Sequence, residues 1–213
     1  KLVISAKKED LKCTCIYDIG MRQSETLIPS IDYIFEKLKL DPKDLNYTAL
    51  TIGPGSFTGL RLGISALKAL ECSYKIPIYG ISSLDTYGHF FKSLFPNVLT
   101  CINGNKEKFY ANFSAEGKNI LPDGDYNIEQ ILEALQDFSE ILITGPDNKQ
   151  LYELIKDKLK TKFIIPDFNT ITTDALFEIA EKMIEKKVSP LNEYDGPVYL
   201  RASEAEINLK GKN

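Results

Sequence analysis

The segment Thr51-Ile52-Gly53-Pro54-Gly55-Ser56-Phe57-Thr58-Gly59-Leu60-Arg61-Leu62-Gly63 constrains this chain more than any other. An apolar run enters a glycine turn, and a run of helical period with hydroxyls at its head leaves it. This is the pattern of a strand turning tightly into a helix. Such a turn can offer backbone N–H groups and a helix N-terminus to an anion, so a nucleotide site is the first reading. Two spacings oppose it. A Walker A loop needs Gly followed by Lys and Ser or Thr, and Gly59 is followed by Leu60-Arg61. A Rossmann loop needs a third small residue where Thr58 stands, and an acidic ribose partner that Lys75 to Ile81 does not supply.

The same glycines permit a second reading. Gly55, Gly59 and Gly63 are four apart, which places them on one helix face with Ala66 close by. Glycine inside a helix costs about 1 kcal/mol relative to alanine, so Gly59 and Gly63 need a compensating contact. Close approach of another backbone would supply one. That backbone belongs to the chain's own sheet, to the helical pattern at 27–38, or to a second protein. Ser56 and Thr58 read as capping hydroxyls. Arg61 lies early in the helix, where the dipole disfavours a cation, so it needs a carboxylate nearby or is an ordinary surface arginine.

Around this segment, strands come first and then alternate with helices. Leu2–Ile4 and Cys13–Tyr17 read as strands joined by a polar turn at Lys7 to Lys12. Leu27, Ile28, Ile31, Ile34, Phe35 and Leu38 have helical period, with Ser24 or Thr26 as the N-cap. If Thr26 is the cap, Pro29 falls in the first turn, where its missing N–H matters little. Further strands are expected at 46–52, 78–81, 98–102, 109–113, 141–144 and 163–165. Ser82/Asp85 and Asn127/Gln130 have capping-box spacing, and Thr173 reads as the cap of a last helix. The expected fold is mixed α/β, with helices flanking the sheets, in two lobes at 1–97 and 98–213. The helix near 173–187 is the candidate to pack back on the N-terminal lobe. No repeat of fixed period is visible.

Charge narrows the function. The chain of 213 residues carries 26 Lys and Arg against 30 Asp and Glu, with a pI near 5.2. Its second half is the more acidic, and Lys156, Lys158, Lys160 and Lys162 read as a solvated helix face. A basic stripe for nucleic acid is missing. Cys13, Cys15, Cys72 and Cys101 lack zinc spacing, and Cys13 and Cys15 point to one side of a strand, which suits burial. With one histidine, His89, a metal site would have to borrow remote carboxylates. The N-terminus is too short of apolar residues for a signal peptide, no apolar run approaches a membrane span, and reduced thiols in the cytoplasm are expected.

Gly53 to Gly63 closely resembles the signature of the TsaB (YeaZ) family of bacterial tRNA threonylcarbamoyladenosine biosynthesis proteins. Gln23-Ser24-Glu25-Thr26-Leu27-Ile28-Pro29, Gly80-Ile81-Ser82-Ser83-Leu84 and Pro197-Val198-Tyr199-Leu200-Arg201 are similar to further family segments. Gln23 stands where the family usually has His. The resemblance implies a two-lobed actin/Hsp70/sugar-kinase-like fold. It implies a partner and activator of the related catalytic subunit TsaD, joined by the ATPase TsaE. That complex transfers a threonylcarbamoyl group to adenosine 37 of tRNAs reading codons that begin with A.

Three features suit a subunit that performs no chemistry. Ser5-Ala6-Lys7-Lys8 stands where the family commonly has Asp-Thr-Ser, so the hairpin acid that holds metal and phosphate in enzymes of this fold is missing. One histidine cannot make the two-histidine metal set of the catalytic relative. No nucleophile–base pair is evident around Ser56 or Thr58. No cofactor is therefore expected on the isolated chain, with ATP and a metal on the partner subunits. The expected interface is Ser24, Glu25, Leu27, Ile31, Gly55, Gly59, Arg61, Gly63 and Ala66. A homodimer through the same patch is the other occupant, and tRNA is expected only through the complex. The alternative is an enzyme acting alone, either a small kinase of this fold or a glycoprotease-like peptidase.

Overall fold

Alternating residues on either side of a short polar stretch fold the start of the chain into a hairpin. The computed structural model describes residues 1–20, 22–105, 107–167 and 172–201. Strand β1 (Leu2–Lys8) pairs antiparallel with β2 (Leu11–Tyr17), Ser5 opposite Thr14 and Ile4 opposite Cys15. The strands run further than their apolar residues suggest, so the turn shrinks to Glu9-Asp10, with Glu9 at φ +54°. Helix α1 (Gln23–Leu38) follows. Its Ile34 and Leu38 pack on Ala6, beside Ile4, Cys13 and Cys15. Each such buried aliphatic side chain contributes roughly 1.5–3 kcal/mol. A 3-10 turn at Pro42–Asp44 leads to β3 (Thr48–Gly53), then α2 (Phe57–Tyr74) and β4 (Ile78–Ser82), which pairs with β3.

Helices α3 (Ser83–Gly88) and α4 (Phe91–Leu94) precede a three-strand meander: β5 (Asn97–Asn103), β6 (Lys108–Ala115) and β7 (Lys118–Asn127). Then come α5 (Ile128–Leu135), β8 (Glu140–Thr144), α6 (Asn148–Ile155) and β9 (Lys162–Ile164). The sheet order is β7-β6-β5-β8-β9, antiparallel within the meander and parallel from β5 through β8 to β9. Its main core joins Leu99, Phe113, Ile131, Leu135, Ile143 and Leu151. The Asn127/Gln130 capping box forms in full. Only half of the other one does. Ser82 Oγ accepts from the backbone N–H groups of Leu84 and Asp85, while the Asp85 carboxylate accepts from Lys92 Nζ at 2.9 Å.

The chain divides into two units. The first holds 1–52, 56–81 and 176–197, and the second holds 53–55, 82–175 and the residues from 198 on. The boundary falls at 81/82, ahead of the Asn97 read from the sequence. The reason is that Phe91 and Phe95 pack on Val98, Leu142 and Ile164, which attaches α3 and α4 to the five-stranded sheet. In the first unit, α7 (Thr172–Glu185) lays Leu176, Ile179, Ala180 and Met183 on Tyr47, Ala49, Tyr79 and Ile81. Thr173 is inside this helix, so it is not the cap.

One order of elements occurs twice along the chain, though the sequence does not display it as a repeat. Each time, paired antiparallel strands lead to a helix, then a strand, a Gly-Pro turn and a second helix. The turns are Gly53-Pro54 after β3 and Gly145-Pro146 after β8, and both glycines have positive φ, +125° and +107°. At Gly145 no other residue fits, because a Cβ would lie 2.0 Å from the Cys101 carbonyl oxygen.

Candidate functional site

Helix α2 starts at Phe57, one residue after its N-cap, Ser56, whose Oγ accepts from the Gly59 N–H at 3.3 Å. Gly55 therefore lies in the turn and not on the helical face with Gly59 and Gly63. Thr58 is inside the helix and is not a cap. Helix α1 starts earlier than either Ser24 or Thr26 allows, with Arg22 in the N-cap position. The Thr26 hydroxyl instead donates back to the Arg22 carbonyl at 3.0 Å. Pro29 thus stands in the second turn, where its missing N–H removes one ladder bond.

The expected interface residues divide by exposure. Ser24, Glu25, Gly55 and Arg61 are exposed, and Ile31, Gly59, Gly63 and Ala66 are half-buried. Leu27 is buried in the chain's own interior, so it supports the face from beneath. Arg61 stacks its guanidinium over the Phe57 ring, 4.0 Å from the centroid. This i, i+4 cation–π contact holds a cation early in the helix, against the dipole argument. Sequence reasoning missed Ile28, Tyr33 and Phe57, which are 53%, 48% and 43% exposed. Ile28 shares the helical period of Leu27 and Ile31. Only its exposure separates it from them.

Helix α2 is poorly covered by the described residues. Of its 18 residues only Leu60 and Ile64 are buried, while Leu62, Leu67 and Leu70 stay half-exposed. The shorter α1 buries Leu27, Ser30, Ile34 and Leu38. A Cβ on Gly63 would meet Leu50 Cδ1 of β3 at 3.8 Å, an ordinary contact. Packing among the described residues therefore tolerates alanine at 63, and none of them offsets the conformational disadvantage of glycine there.

The other side chains singled out in the sequence make local contacts. Ser5, where the resemblance places an acidic residue, lies on β1, with its Oγ 2.8 Å from Thr14 Oγ1 and donating to the Cys13 carbonyl at 3.1 Å. The hairpin does carry acids, Glu9 and Asp10, but at its exposed tip. Cys101 is fully buried, and burial pushes its thiol well above the ordinary range, with the Asp147 charge acting the same way. It is no nucleophile at neutral pH. His89 meets the Phe90 ring edge-on at 5.1 Å. The four lysines do not form one face: Lys156 caps α6, Lys158 and Lys160 lie in the following turn, and Lys162 is on β9. Lys156 pairs with Glu153 and Lys162 with Glu140.

A polar row crosses the second unit. The Asn112 amide donates to Asp123 at 2.8 Å, and Ser82 Oγ also donates to Asp123, which ties α3 to β6 and β7. Near the end of the described chain, Arg201 makes a two-pronged bond to Asp125, at 2.7 Å from Nε and 2.6 Å from a terminal nitrogen. It also donates to the Gly104 carbonyl and lies over Tyr110. That pairing raises the guanidinium pKa further.

The chain is similar to several known proteins. The TsaD family model, described as tRNA N6-adenosine threonylcarbamoyltransferase, matches residues 20–184. A Bacillus subtilis protein named tRNA threonylcarbamoyladenosine biosynthesis protein TsaB is 29% identical over 143 residues, 65% of this chain. The chain spans 62% of that relative's length. The Escherichia coli protein of the same name is 26% identical over 199 residues, covering 89% of this chain and 85% of the relative. A Pseudomonas aeruginosa crystal structure, titled as an uncharacterized protein with similarity to peptidase YEAZ, superposes with a TM-score of 0.73. It is 16% identical and covers 93% of this chain and 94% of its own, so it speaks for the fold, the actin/Hsp70/sugar-kinase-like class.

Proposed function

Since this chain belongs to the TsaD family, and to the TsaB (YeaZ) proteins within it, we propose that it serves tRNA threonylcarbamoyladenosine formation as a non-catalytic subunit. It docks on a TsaD-type catalytic subunit and activates it, and a TsaE-type ATPase joins the pair. The catalytic subunit then transfers the threonylcarbamoyl group to adenosine 37 of the tRNA. ATP and the metal sit on the partners. The tRNA is held by the assembly, in keeping with the acidic balance of this chain. The assembly works in the cytoplasm, and among the described residues no helix is long and apolar enough to cross a membrane.

The observation that carries this reading is α2, an 18-residue helix with two buried residues, half-exposed leucines and a glycine at 63 that packing among the described residues does not require. A helix so placed gains stability when a second protein covers it, because roughly 25 cal/mol is recovered per Å² of apolar surface buried. The exposed Ile28 and Phe57 widen the apolar surface. In the absence of the catalytic subunit, a second copy of this chain is the other occupant of the face.

Gly63→Leu tests the assignment. The variant is expected to fold, with an unchanged far-UV spectrum, and to lose co-purification with the TsaD-type subunit from the same cell. A folded variant that still co-purifies at wild-type yield would remove α2 from the interface.

A further inference from the structure

The two helical glycines of α2 have different surroundings. A Cβ at Gly63 meets one aliphatic carbon at an ordinary distance. A Cβ at Gly59 would lie 3.3 Å from Gln23 Oε1, and 3.5 Å from both Cβ and Oγ of Ser56, the N-cap. The Gln23 carboxamide, from the first residue of α1, thus lies over the first turn of α2. A side chain at 59 would be in tight contact with it, so the amide would have to give by a few tenths of an ångström.

We propose that Gly59 is glycine for the sake of Gln23, and that Gln23 is a positioning residue which seats the N-terminal end of α1 on the first turn of α2. Gly63 alone is then kept bare for the partner. The assignment rests on the partner-binding reading above and divides the work between the two glycines. The physical reason is local. Gln23 opens α1 and Ser56 caps α2, so a side chain that reaches from the start of one helix to the first turn of the other ties the two together. Ser24 and Glu25, the exposed residues next to Gln23, are then held at a fixed end of α1. A methyl group at 59 displaces the amide, because 3.3 Å is closer than an oxygen and a methyl carbon normally approach.

Two thermodynamic cycles test this. In the isolated chain, Gly63→Ala is expected to raise Tm by about 2–4 °C, the helix-propensity gain for a chain of this size. Gly59→Ala is expected to give no such gain while Gln23 is present, and to give it in full in a Gln23→Ala background. Equal gains at 59 and 63 with Gln23 in place would overturn the proposal. The second cycle measures affinity for the TsaD-type subunit by calorimetry. Gln23→Ala and Gly59→Ala should each weaken binding about tenfold, and the double variant no more than either alone. Multiplying losses would mean that Gly59 touches the partner directly, and would also overturn it. Gly63→Ala should weaken binding whether or not Gln23 is present. If Gly63→Ala leaves affinity intact while the Tm cycle behaves as described, the docking face is wrong and the Gln23–Gly59 contact stands.

Discussion

Single glycines in this molecule answer to different constraints, and the backbone separates them. Gly145 has φ +107°, and a Cβ there would overlap the Cys101 carbonyl oxygen. Gly145→Ala should therefore destabilise the chain by about 3 kcal/mol or more, combining backbone strain with overpacking in a rigid sheet. Chemical denaturation measures it, and a loss under about 1 kcal/mol would show that the β8–α6 turn can relax. Gly63 faces no such obstacle, and a Cβ at Gly59 would meet the Gln23 amide at 3.3 Å and Ser56 at 3.5 Å. A spacing of four in the sequence presented Gly55, Gly59 and Gly63 as equivalent, and none of the three proves to be. The side-chain hydroxyls show the same local control. Ser56 caps α2, but Thr26 turns back to its own helix and Thr58 leaves its cap role to Ser56.

At the level of elements, helices with a clean apolar stripe were legible. The Asn127/Gln130 box and the stripe Ile128, Ile131 and Leu135 gave α5 at once. Strand β7 was not legible. It contains Asn119, Pro122, Asp123, Gly124 and Asp125, residues that strands avoid. An edge position tolerates them, since one side of an edge strand lacks ladder partners. What holds this edge is side-chain chemistry: Asp123 receives Ser82 and Asn112, and Asp125 receives Arg201. The segment Pro197 to Arg201 was recognisable as a resemblance, but the partner of its arginine lies 76 positions away and cannot be read from spacing. Arg201→Gln should cost about 1.5–3 kcal/mol through the lost charge-assisted bonds, and should speed amide exchange in β7 and in the β5–β6 turn. Unchanged protection there would mean that the fork is incidental to the edge.

For the molecule as a whole, the class of fold was readable because strands and helices alternate with turn signals between them. The division into units was not, because α3 and α4 join the second unit through Phe91 and Phe95, whose packing partners are scattered along the chain. The candidate face was legible in outline from the glycine segment. Its apolar members Ile28 and Phe57 were not, since spacing alone cannot distinguish an exposed apolar residue from a core one. The central claim is that this chain contributes by docking and leaves the chemistry to its partner. The most direct measurement is tRNA modification by the TsaD-type subunit with a supply of threonylcarbamoyl adenylate, carried out with the wild-type chain, with Gly63→Leu, and with neither. The account predicts rapid formation of the modified adenosine with the wild-type chain only. Modification at full rate without the chain, or with the Gly63→Leu chain, would contradict it.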